Sequence, residues 1–578
     1  MSLSSNTSGV VLRVRENWRS ALTVALISLP LSIALAIASG AGPIPGIITG
    51  VWATVIAALF GSSNYNVVGV AGALTTILFG AALFAGPLIL PFLAIASGIC
   101  ILLMYLFKLD RYIRYIPNAV VYGFASGVAI LIAANQLYDA FGLSLIKRHG
   151  HLIPDLIQFV EMKSQISLTS GALFGVFLII LLAWKKWIRF LPGVIPVAAA
   201  GSLIGYLSET GRFFGYSYIT LEDKFGDLSI TLIQIPLLSD ITSFIKDSGN
   251  LIWFFQTAFI IAVISVLETL ITARIGDKIT KTEHSPRKEL RGLGLANIAS
   301  GIMGGLPATG VFIRTGLNIK SGATHKTSQG LAAIFTALLS IIAWPYLQYL
   351  PLPVVAAILS MTAIGLIEVE HFVRFWKYEK ASLLVGMVVA ATTVLDDAGV
   401  GVLFGTILAL LILIDQLTRG RHEVQFNVNK QRIKLSGKGM LAIPEGVAPD
   451  VVVYSIGGFV SYADAVYHRD NIRVLANTPS IETIVIRMRN LHYADLDGID
   501  TLAEGIEDAE RMKKKILISS ASDYIATLAT RDSIFAHLKN DGKFFTSTES
   551  ALRTLGFDDE HLKRDAPLYV STRETQTI

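Results

Sequence analysis

Two short glycine-rich runs carry residues that could bind a small anion. The runs span residues 67–76 and 304–315, and each lies within an otherwise apolar stretch. If a helix begins in each run, its unpaired N–H groups and its positive dipole end favour a negatively charged ligand. Glycine permits the close approach that this needs, although tight helix packing explains the same glycines. The candidate binding residues in these runs are Gly72, Ala73, Leu74, Thr75, Gly310, Val311 and Phe312.

Arg314 and Glu268 are charged residues within or beside long apolar runs. A charge in such a place is costly, so we expect each to face a cavity or a partner. Arg314 either adds positive potential to the anion site or forms a structural ion pair. Glu268 either carries a coupling proton or cation, or is a hydrogen-bonded structural residue. Thr272 lies one helical turn further on the same face and joins Glu268 as a coupling candidate.

Pro30 interrupts the first long apolar run. A kink at this proline would free backbone groups that can line a cavity, which makes Pro30 a further binding candidate. A proline that is merely tolerated in a membrane helix is the alternative interpretation.

Enzyme and metal chemistry find no support in the sequence. The single cysteine, Cys100, excludes a disulfide within the chain and a cysteine metal site. The histidines show no metal-ligand spacing, and no phosphate loop or nucleophile elbow stands at a supportive position. We therefore predict neither an enzyme nor a resident cofactor or metal.

The elements that must position these residues are membrane segments. The chain is 53% hydrophobic and only 16% charged, whereas a soluble protein of 578 residues needs more surface charge. A membrane-spanning helix needs about 20 apolar residues. Fourteen candidate segments begin near residues 21, 44, 67, 87, 118, 172, 192, 251, 289, 310, 328, 353, 381 and 399.

The fourteen segments fall into two comparable halves, and the third segment of each is short and glycine-rich. Matching broken segments indicate an inverted repeat with a binding site at the bilayer midplane. Clusters of Lys and Arg place both termini in the cytoplasm, which suits a multi-pass protein of a bacterial inner membrane. The predicted regions are a cytoplasmic segment (1–19) and a transmembrane domain (20–420) with repeats at 20–210 and 250–418.

The C-terminal region changes pattern. Strand-like runs alternate with amphipathic helices from about Pro449, which predicts a small α/β domain. We assign residues 421–448 to a linker, 449–565 to this domain and 566–578 to a tail. The net charge of +5 gives no case for nucleic-acid binding.

These residues resemble the sulfate permease (SulP) family of anion transporters. The most specific match is Pro307-Ala308-Thr309-Gly310 followed by Arg314-Thr315, and the opening Leu29-Pro30 pattern is also similar. Gly457-Gly458-Phe459 and the Ala494–Gly498 loop resemble the STAS domain that ends such proteins. The resemblance covers nearly the whole chain.

The resemblance implies an α-helical polytopic fold of fourteen segments as 7+7 inverted repeats, with core and gate domains and a C-terminal α/β STAS domain. It also implies a homodimer and a substrate pocket between the third and tenth segments. Leu31 stands where the family often has a polar pocket residue, which makes this pocket less polar. Sodium-coupled bicarbonate members resemble this chain less, since they carry Asp at the position of Glu268 and a small or hydroxyl residue at that of Phe312.

The function that we predict is a secondary active transporter of small inorganic or carboxylate anions, coupled to protons rather than sodium, that works by alternating access. Three alternatives stay open. The first is an electroneutral anion exchanger or uncoupled conductance, and the second is a sodium-coupled bicarbonate transporter. The third is a membrane receptor or scaffold that signals through its STAS domain.

Overall fold

The computed structural model describes the chain in two compact units, residues 1–409 and 410–578. It describes all residues except 1–2, 110, 112–115, 144–151, 189–191, 213–216, 227–229, 238, 396–397, 419–420, 429–430, 439, 442–448, 558–567 and 572–578.

The first half of the N-terminal unit contains helices joined by short connections and one two-residue strand, β1 (Val68–Gly69). Its helices are α1 (Leu3–Ala38), α2 (Pro43–Phe60), α3 (Gly72–Ala85), α4 (Ile89–Leu106), α5 (Asn118–Ala140), α6 (Leu152–Glu161), α7 (Leu168–Trp187) and α8 (Val194–Glu209).

Two short helices, α9 (Leu221–Phe225) and α10 (Ser239–Ile245), lead to the second half, which contains the strand β2 (Thr309–Gly310). Its helices are α11 (Ser248–Thr280), α12 (Pro286–Ile302), α13 (Phe312–Lys320), α14 (Thr327–Leu347), α15 (Leu352–Leu366), α16 (Val369–Tyr378), α17 (Lys380–Leu395) and α18 (Ala398–Thr418).

Each of the fourteen apolar runs corresponds to one of these helices, and α6, α9, α10 and α16 are additional. Within the described ranges, eight helical stretches are long and apolar enough to cross a membrane. The two glycine-rich segments are broken as predicted, because each consists of a two-residue strand followed by a short helix of 14 residues (α3) or 9 residues (α13). Pro30 does not divide its segment, since α1 runs through it.

Small residues set how closely some of these helices pack. A Cβ added at Gly98 on α4 would lie 2.7 Å from the carbonyl oxygen of Gly294 on α12. Real Cβ atoms do not approach that closely, so glycine is required where these helices cross. Gly98 and Gly294 lie outside the two glycine-rich runs, and in this place glycine serves helix packing.

The C-terminal unit is a seven-stranded sheet with the order β8-β7-β6-β5-β3-β4-β9. Its strands are β3 (Arg421–Val428), β4 (Gln431–Lys438), β5 (Val451–Val460), β6 (Thr483–Ala494), β7 (Lys515–Ser519), β8 (Phe544–Phe545) and β9 (Leu568–Ser571). Its helices are α19 (Ala465–Asn477), α20 (Leu496–Arg511), α21 (Asp523–Ala529), α22 (Ser533–Asn540) and α23 (Thr548–Arg553).

The segment 421–448, predicted as a linker, differs from the expectation. Its described part contains β3 and β4, and β3 pairs antiparallel with both β4 and β5. The strand β9 reaches into the predicted tail and pairs parallel with β4. The hydrogen bonds of these strands are satisfied only within the sheet, so the α/β unit begins earlier and ends later than the hydrophobic pattern indicated.

A polar cluster lies inside the C-terminal unit. The hydroxyl of Tyr454 on β5 lies 2.7 Å from Nδ1 of His468 on α19, and Asn471 donates to the same hydroxyl at 3.2 Å. Burial raises the pKa of Tyr454 and lowers the pKa of His468 to about 3. Both side chains are therefore neutral at physiological pH.

Candidate functional site

The strands β1 and β2 bring the two glycine-rich segments together. They pair antiparallel, with Val68 opposite Gly310 and Gly69 opposite Thr309. The pairing continues where the N–H of Val311 donates to the carbonyl oxygen of Val67 at 2.9 Å. Because α3 and α13 each begin within three residues of these strands, the pairing places their N-termini close to each other.

The N-termini of α3 and α13 carry no side-chain caps from the residues that precede them. Ala71 and Val311 are the N-cap residues, and neither makes a side-chain cap hydrogen bond in the described structure. The first N–H groups of a helix have no acceptor within the helix. Together with the dipole, these groups can bind an anion at both helix starts.

The helix α11 holds β2 through a row of hydroxyl groups. The hydroxyl of Thr269 accepts a hydrogen bond from the N–H of Gly310 at 2.8 Å, and the hydroxyl of Thr272 donates to its carbonyl oxygen at 3.1 Å. Thr309 donates to Oε2 of Glu268 at 2.9 Å. The structure therefore pairs Glu268 with Thr309, and it uses the other coupling candidate, Thr272, to hold the backbone of β2.

A small cavity of about 70 Å³ joins Glu268 to the start of α3. Ala73 lines it together with Glu268, and the walls come from α5, α11, α15 and α18. Its other described lining residues are apolar, and they include Phe124 and Leu366. A cavity of this size can hold a few water molecules or a small ion. Thus Glu268 and the first turn of α3 line a common, largely apolar space.

Arg314 is buried to 1% exposure behind β1 and is absent from the lining of this cavity. Its Nη2 donates to the hydroxyl of Ser32 at 2.9 Å and to the carbonyl oxygen of Val70 at 3.4 Å. A Cβ on Gly69 would lie 2.3 Å from Nη1, so the guanidinium would have to shift if residue 69 carried a side chain.

The surroundings of Arg314 distinguish the two roles predicted for it. No carboxylate oxygen of the described residues lies within 4 Å of the guanidinium, so the structural ion pair is absent from this part of the chain. Nε and Nη1 have no hydrogen-bond partner among the described residues. The positive charge stands beside the strand that leads into α3, where it adds to the potential at that helix start.

The other candidate residues divide between the two helix starts and more distant positions. Leu74 and Thr75 are buried in the first turn of α3, where the Thr75 hydroxyl donates to the carbonyl oxygen of Gly72 at 2.7 Å. Phe312, in the first turn of α13, is largely exposed. Leu31 is buried in α1.

Pro30 lies elsewhere. It lines a second, larger cavity between α1, α8 and α14, and not the cavity that contains Glu268. The structure therefore does not bring Pro30 together with Ala73 and Glu268.

A network behind the site involves residues that sequence reasoning did not select. Oε2 of the buried Glu289 on α12 accepts hydrogen bonds from the N–H groups of Ser62 and Ser63, and its Oε1 accepts one from Asn66 at 2.8 Å. Thr315 in turn accepts from the N–H of Val67 at 3.0 Å. This network fixes the loop that enters β1.

Among the described residues, no group of three or more His, Cys, Asp or Glu side chains is placed so that it could hold a metal ion.

Comparisons with known proteins agree with this arrangement. A model described as the sulfate permease family matches residues 15–389, and a STAS domain model matches residues 444–551. The putative sulfate transporter YvdB of Bacillus subtilis is 27% identical over 510 residues, which cover 88% of this chain and 91% of the relative. The bicarbonate transporter BicA of Picosynechococcus sp. is 24% identical, with 93% and 94% covered.

Solved structures show the same fold. The murine anion transporter Slc26a9 in its inward-facing state matches with a TM-score of 0.77 at 14% identity, over 94% of this chain and 91% of that one. The transmembrane domain of a cyanobacterial BicA matches with a TM-score of 0.59 at 25% identity, over 69% and 97%. The predicted fold class and family resemblance are confirmed.

Proposed function

Because this chain belongs to the sulfate permease family, we propose that it is a secondary active transporter that moves a small anion together with a proton. The observation that supports this most strongly is the shared cavity, which is lined both by Glu268 and by Ala73 at the start of α3. A binding site for an anion next to a group that can take up a proton is the minimum that coupled transport requires.

The substrate class follows from the chemistry of the helix starts. Backbone N–H groups and a helix dipole recognise a compact negative charge without selecting one anion. The two relatives described above carry the names of sulfate and bicarbonate transporters. We propose that sulfate or bicarbonate is the anion, and that Phe312 and the apolar cavity wall disfavour large substrates.

Glu268 is the proposed proton carrier. It is the one ionisable residue among the described residues that line the cavity, and it contacts β2 through Thr309. A carboxylate in this position repels an incoming anion, whereas its protonated form does not. Proton uptake would therefore accompany anion binding, and the two would be released together.

Alternating access is the proposed mode of movement. The paired strands β1 and β2 and the hydroxyl groups of α11 join both helix starts into one unit, so that the site can move as a body. A homodimer in a bacterial inner membrane with both termini in the cytoplasm stays a prediction from the sequence.

A counterflow panel tests the substrate assignment. Purified protein in proteoliposomes loaded with unlabelled anion would exchange labelled sulfate or bicarbonate, with chloride, nitrate and a small dicarboxylate as competitors, at two pH values and with or without sodium. We expect exchange of sulfate or bicarbonate that is faster at the lower pH and indifferent to sodium. Flux that requires sodium, or exchange with no pH effect, would favour the sodium-coupled or exchanger alternatives instead.

A further inference from the structure

A second cavity of the N-terminal unit, which is mostly apolar, lies away from the Glu268 cavity. We call it the α1–α8–α14 groove, after the three helices that form its walls, and its volume is about 790 Å³. It is lined by Leu26 and Pro30 on α1, by Ala199 on α8 and by Ala343 on α14, among others. Nothing in the transport mechanism uses this space.

The groove is continuous with the lipid-facing surface of the spanning helices. Three of its lining residues are large and exposed, namely Leu203 (59%), Tyr206 (44%) and Tyr346 (69%). On helices that cross a membrane, such residues contact lipid. An apolar space stays free of water, and its walls lose dispersion contacts if nothing fills it. In a bilayer, the groups available to fill it are acyl chains.

The length of the groove fits one leaflet. Along α8 it extends from Ile195 to Tyr206, which corresponds to about 17 Å at about 1.5 Å per residue. Half of a hydrocarbon core of about 30 Å is about 15 Å. A single acyl chain of one leaflet can therefore lie along the whole groove.

The polar groups of the groove gather at one end. Tyr206 is near the end of α8, and Tyr346 and Tyr349 are at the end of α14. The rings of Tyr206 and Tyr349 pack edge to face with centroids 5.4 Å apart. Tyrosine is enriched at the boundary between the hydrocarbon core and the headgroups. This polarity matches a lipid, with its ester region at the tyrosines and its chain directed inward.

Two prolines also line the groove. Pro30 has no N–H to pair with the carbonyl oxygen of Leu26, four residues earlier, and both residues line the groove. Pro345 lines it from α14. The hydroxyl of Ser202, another lining residue, has no partner among the described residues.

We propose that the α1–α8–α14 groove binds one acyl chain of a bilayer phospholipid, with the glycerol ester region beside the three tyrosines. The bound chain supports the turn of α1 that carries Leu29 and Pro30. Ser32, on the next turn, holds Arg314. The groove is thus a lipid site that buttresses the helix behind the anion site.

Photo-crosslinking of the full-length protein tests this proposal. The probe is a phosphatidylglycerol or phosphatidylethanolamine with a diazirine on one acyl chain, reconstituted with the protein and mapped by mass spectrometry. We expect labelling concentrated on residues 195–206 and 339–349. Ala199→Phe, which fills the groove, should lower labelling of residues 339–349 at least fivefold. Ala200→Phe is the matched control on the exposed side of the same helix, outside the lining, and should change it less than twofold.

Ala343→Phe fills the groove from the opposite wall. It replaces Ala199→Phe in the experiment if the Ala199→Phe protein cannot be reconstituted into membranes. Labelling of 195–206 and 339–349 that neither filling variant lowers would overturn the proposal. The proposal would also be overturned if the labelling yield on these residues were no higher than the yield around Val176, an exposed residue of α7. Equal yields would mean that the probe contacts the groove only as ordinary annular lipid.

Discussion

The space around Arg314 is set by a single glycine. The guanidinium lies behind β1, with its Nη2 bonded to Ser32 and Val70 and its Nη1 against Gly69. Arginine at this depth is costly unless its charge is used, and in the described structure no carboxylate within 4 Å neutralises it. We therefore propose that its charge acts on the proposed anion site and that its position depends on Gly69.

Gly69→Ala should displace this arginine and slow transport. The added Cβ would lie 2.3 Å from Nη1, so the side chain or the strand must shift. Overpacking of this kind costs about 1–3 kcal/mol. We expect at least a tenfold lower initial rate of anion uptake with a modest fall in the melting temperature. Gly80→Ala on α3 is the matched control, because a Cβ there meets no atom within 4 Å, and it should transport at the wild-type rate.

The sequence identified the charged members of the site but not their partners. Glu268 and Arg314 stood out because a charge is rare in an apolar run. The hydroxyl groups of Ser32 and Thr309 did not, since serine and threonine are common in membrane helices and their partners lie 282 and 41 residues away along the chain. Only the folded structure, in which β1 pairs with β2, shows which hydroxyl group contacts which charged side chain.

The loop that enters β1 is held by one buried carboxylate. Glu289 accepts from two backbone N–H groups, from the hydroxyl of Ser62 and from the amide of Asn66. This loop precedes the first glycine-rich segment, so its position fixes where α3 begins. In the sequence, Glu289 marks only the start of an apolar run. The four groups that donate hydrogen bonds to it come from a loop more than 220 residues earlier in the chain.

Glu289→Gln should destabilise the membrane unit. The amide keeps the shape of the side chain but turns one acceptor into a donor that faces other donors. Each buried donor that is left unpaired costs about 1–3 kcal/mol. We expect a lower melting temperature in detergent and a smaller yield of folded protein. Glu283→Gln, at an exposed loop position nearby, should leave the melting temperature and the yield unchanged. If Glu283→Gln and Glu289→Gln lowered the melting temperature equally, this role of Glu289 would be refuted.

The polar cluster between β5 and α19 should make the C-terminal unit sensitive to acid. Burial lowers the pKa of His468 to about 3, below its ordinary value of 6.5. Below pH 6.5 the unfolded chain binds a proton that the folded chain does not, so stability falls as the pH falls from 6.5 towards 3. Between pH 7 and pH 5 the loss is roughly 2 kcal/mol.

Hydrogen exchange at the buried amides of Val452 and Ile486, corrected for intrinsic rates, measures this loss in the full chain. His468→Gln keeps a polar contact to Tyr454 without titrating in this range, and it should flatten the dependence. His492→Gln, at an exposed position on β6, should retain the wild-type slope. A slope that persists in His468→Gln would assign the effect to another group.

Hydrophobic patterning located the fourteen apolar segments and the strands β5, β6 and β7, but it missed β3, β4, β8 and β9. Residues 421–438 contain charged and polar residues throughout, and their strands are defined by pairing with β5 rather than by burial alone. Pairing between distant strands leaves little trace in a single sequence, whereas a run of about 20 apolar residues is a local signal.

The two halves of the membrane unit correspond element by element, and each has a strand and a short helix as its third segment. An odd number of spans in each half requires that the halves be inverted. An even total of spans predicts that both termini lie on one side of the membrane, and the placement of Lys and Arg predicts that this side is the cytoplasm.

Cysteine accessibility tests this orientation. In a Cys100→Ser background, Ser5→Cys and Thr577→Cys should both resist a membrane-impermeant maleimide in intact cells and react after permeabilisation. Reaction of either position in intact cells would contradict the count of segments.

The coupling of proton and anion movement through Glu268 is tested most directly by measuring both fluxes in the same proteoliposomes. An inward proton gradient should accelerate uptake of the labelled anion severalfold in the wild type, with alkalinisation of the outer medium in step. Glu268→Gln should abolish both the acceleration and the proton movement, while Glu209→Gln, at the exposed end of α8, should retain them. Gradient-driven uptake at the wild-type rate in Glu268→Gln would contradict the account.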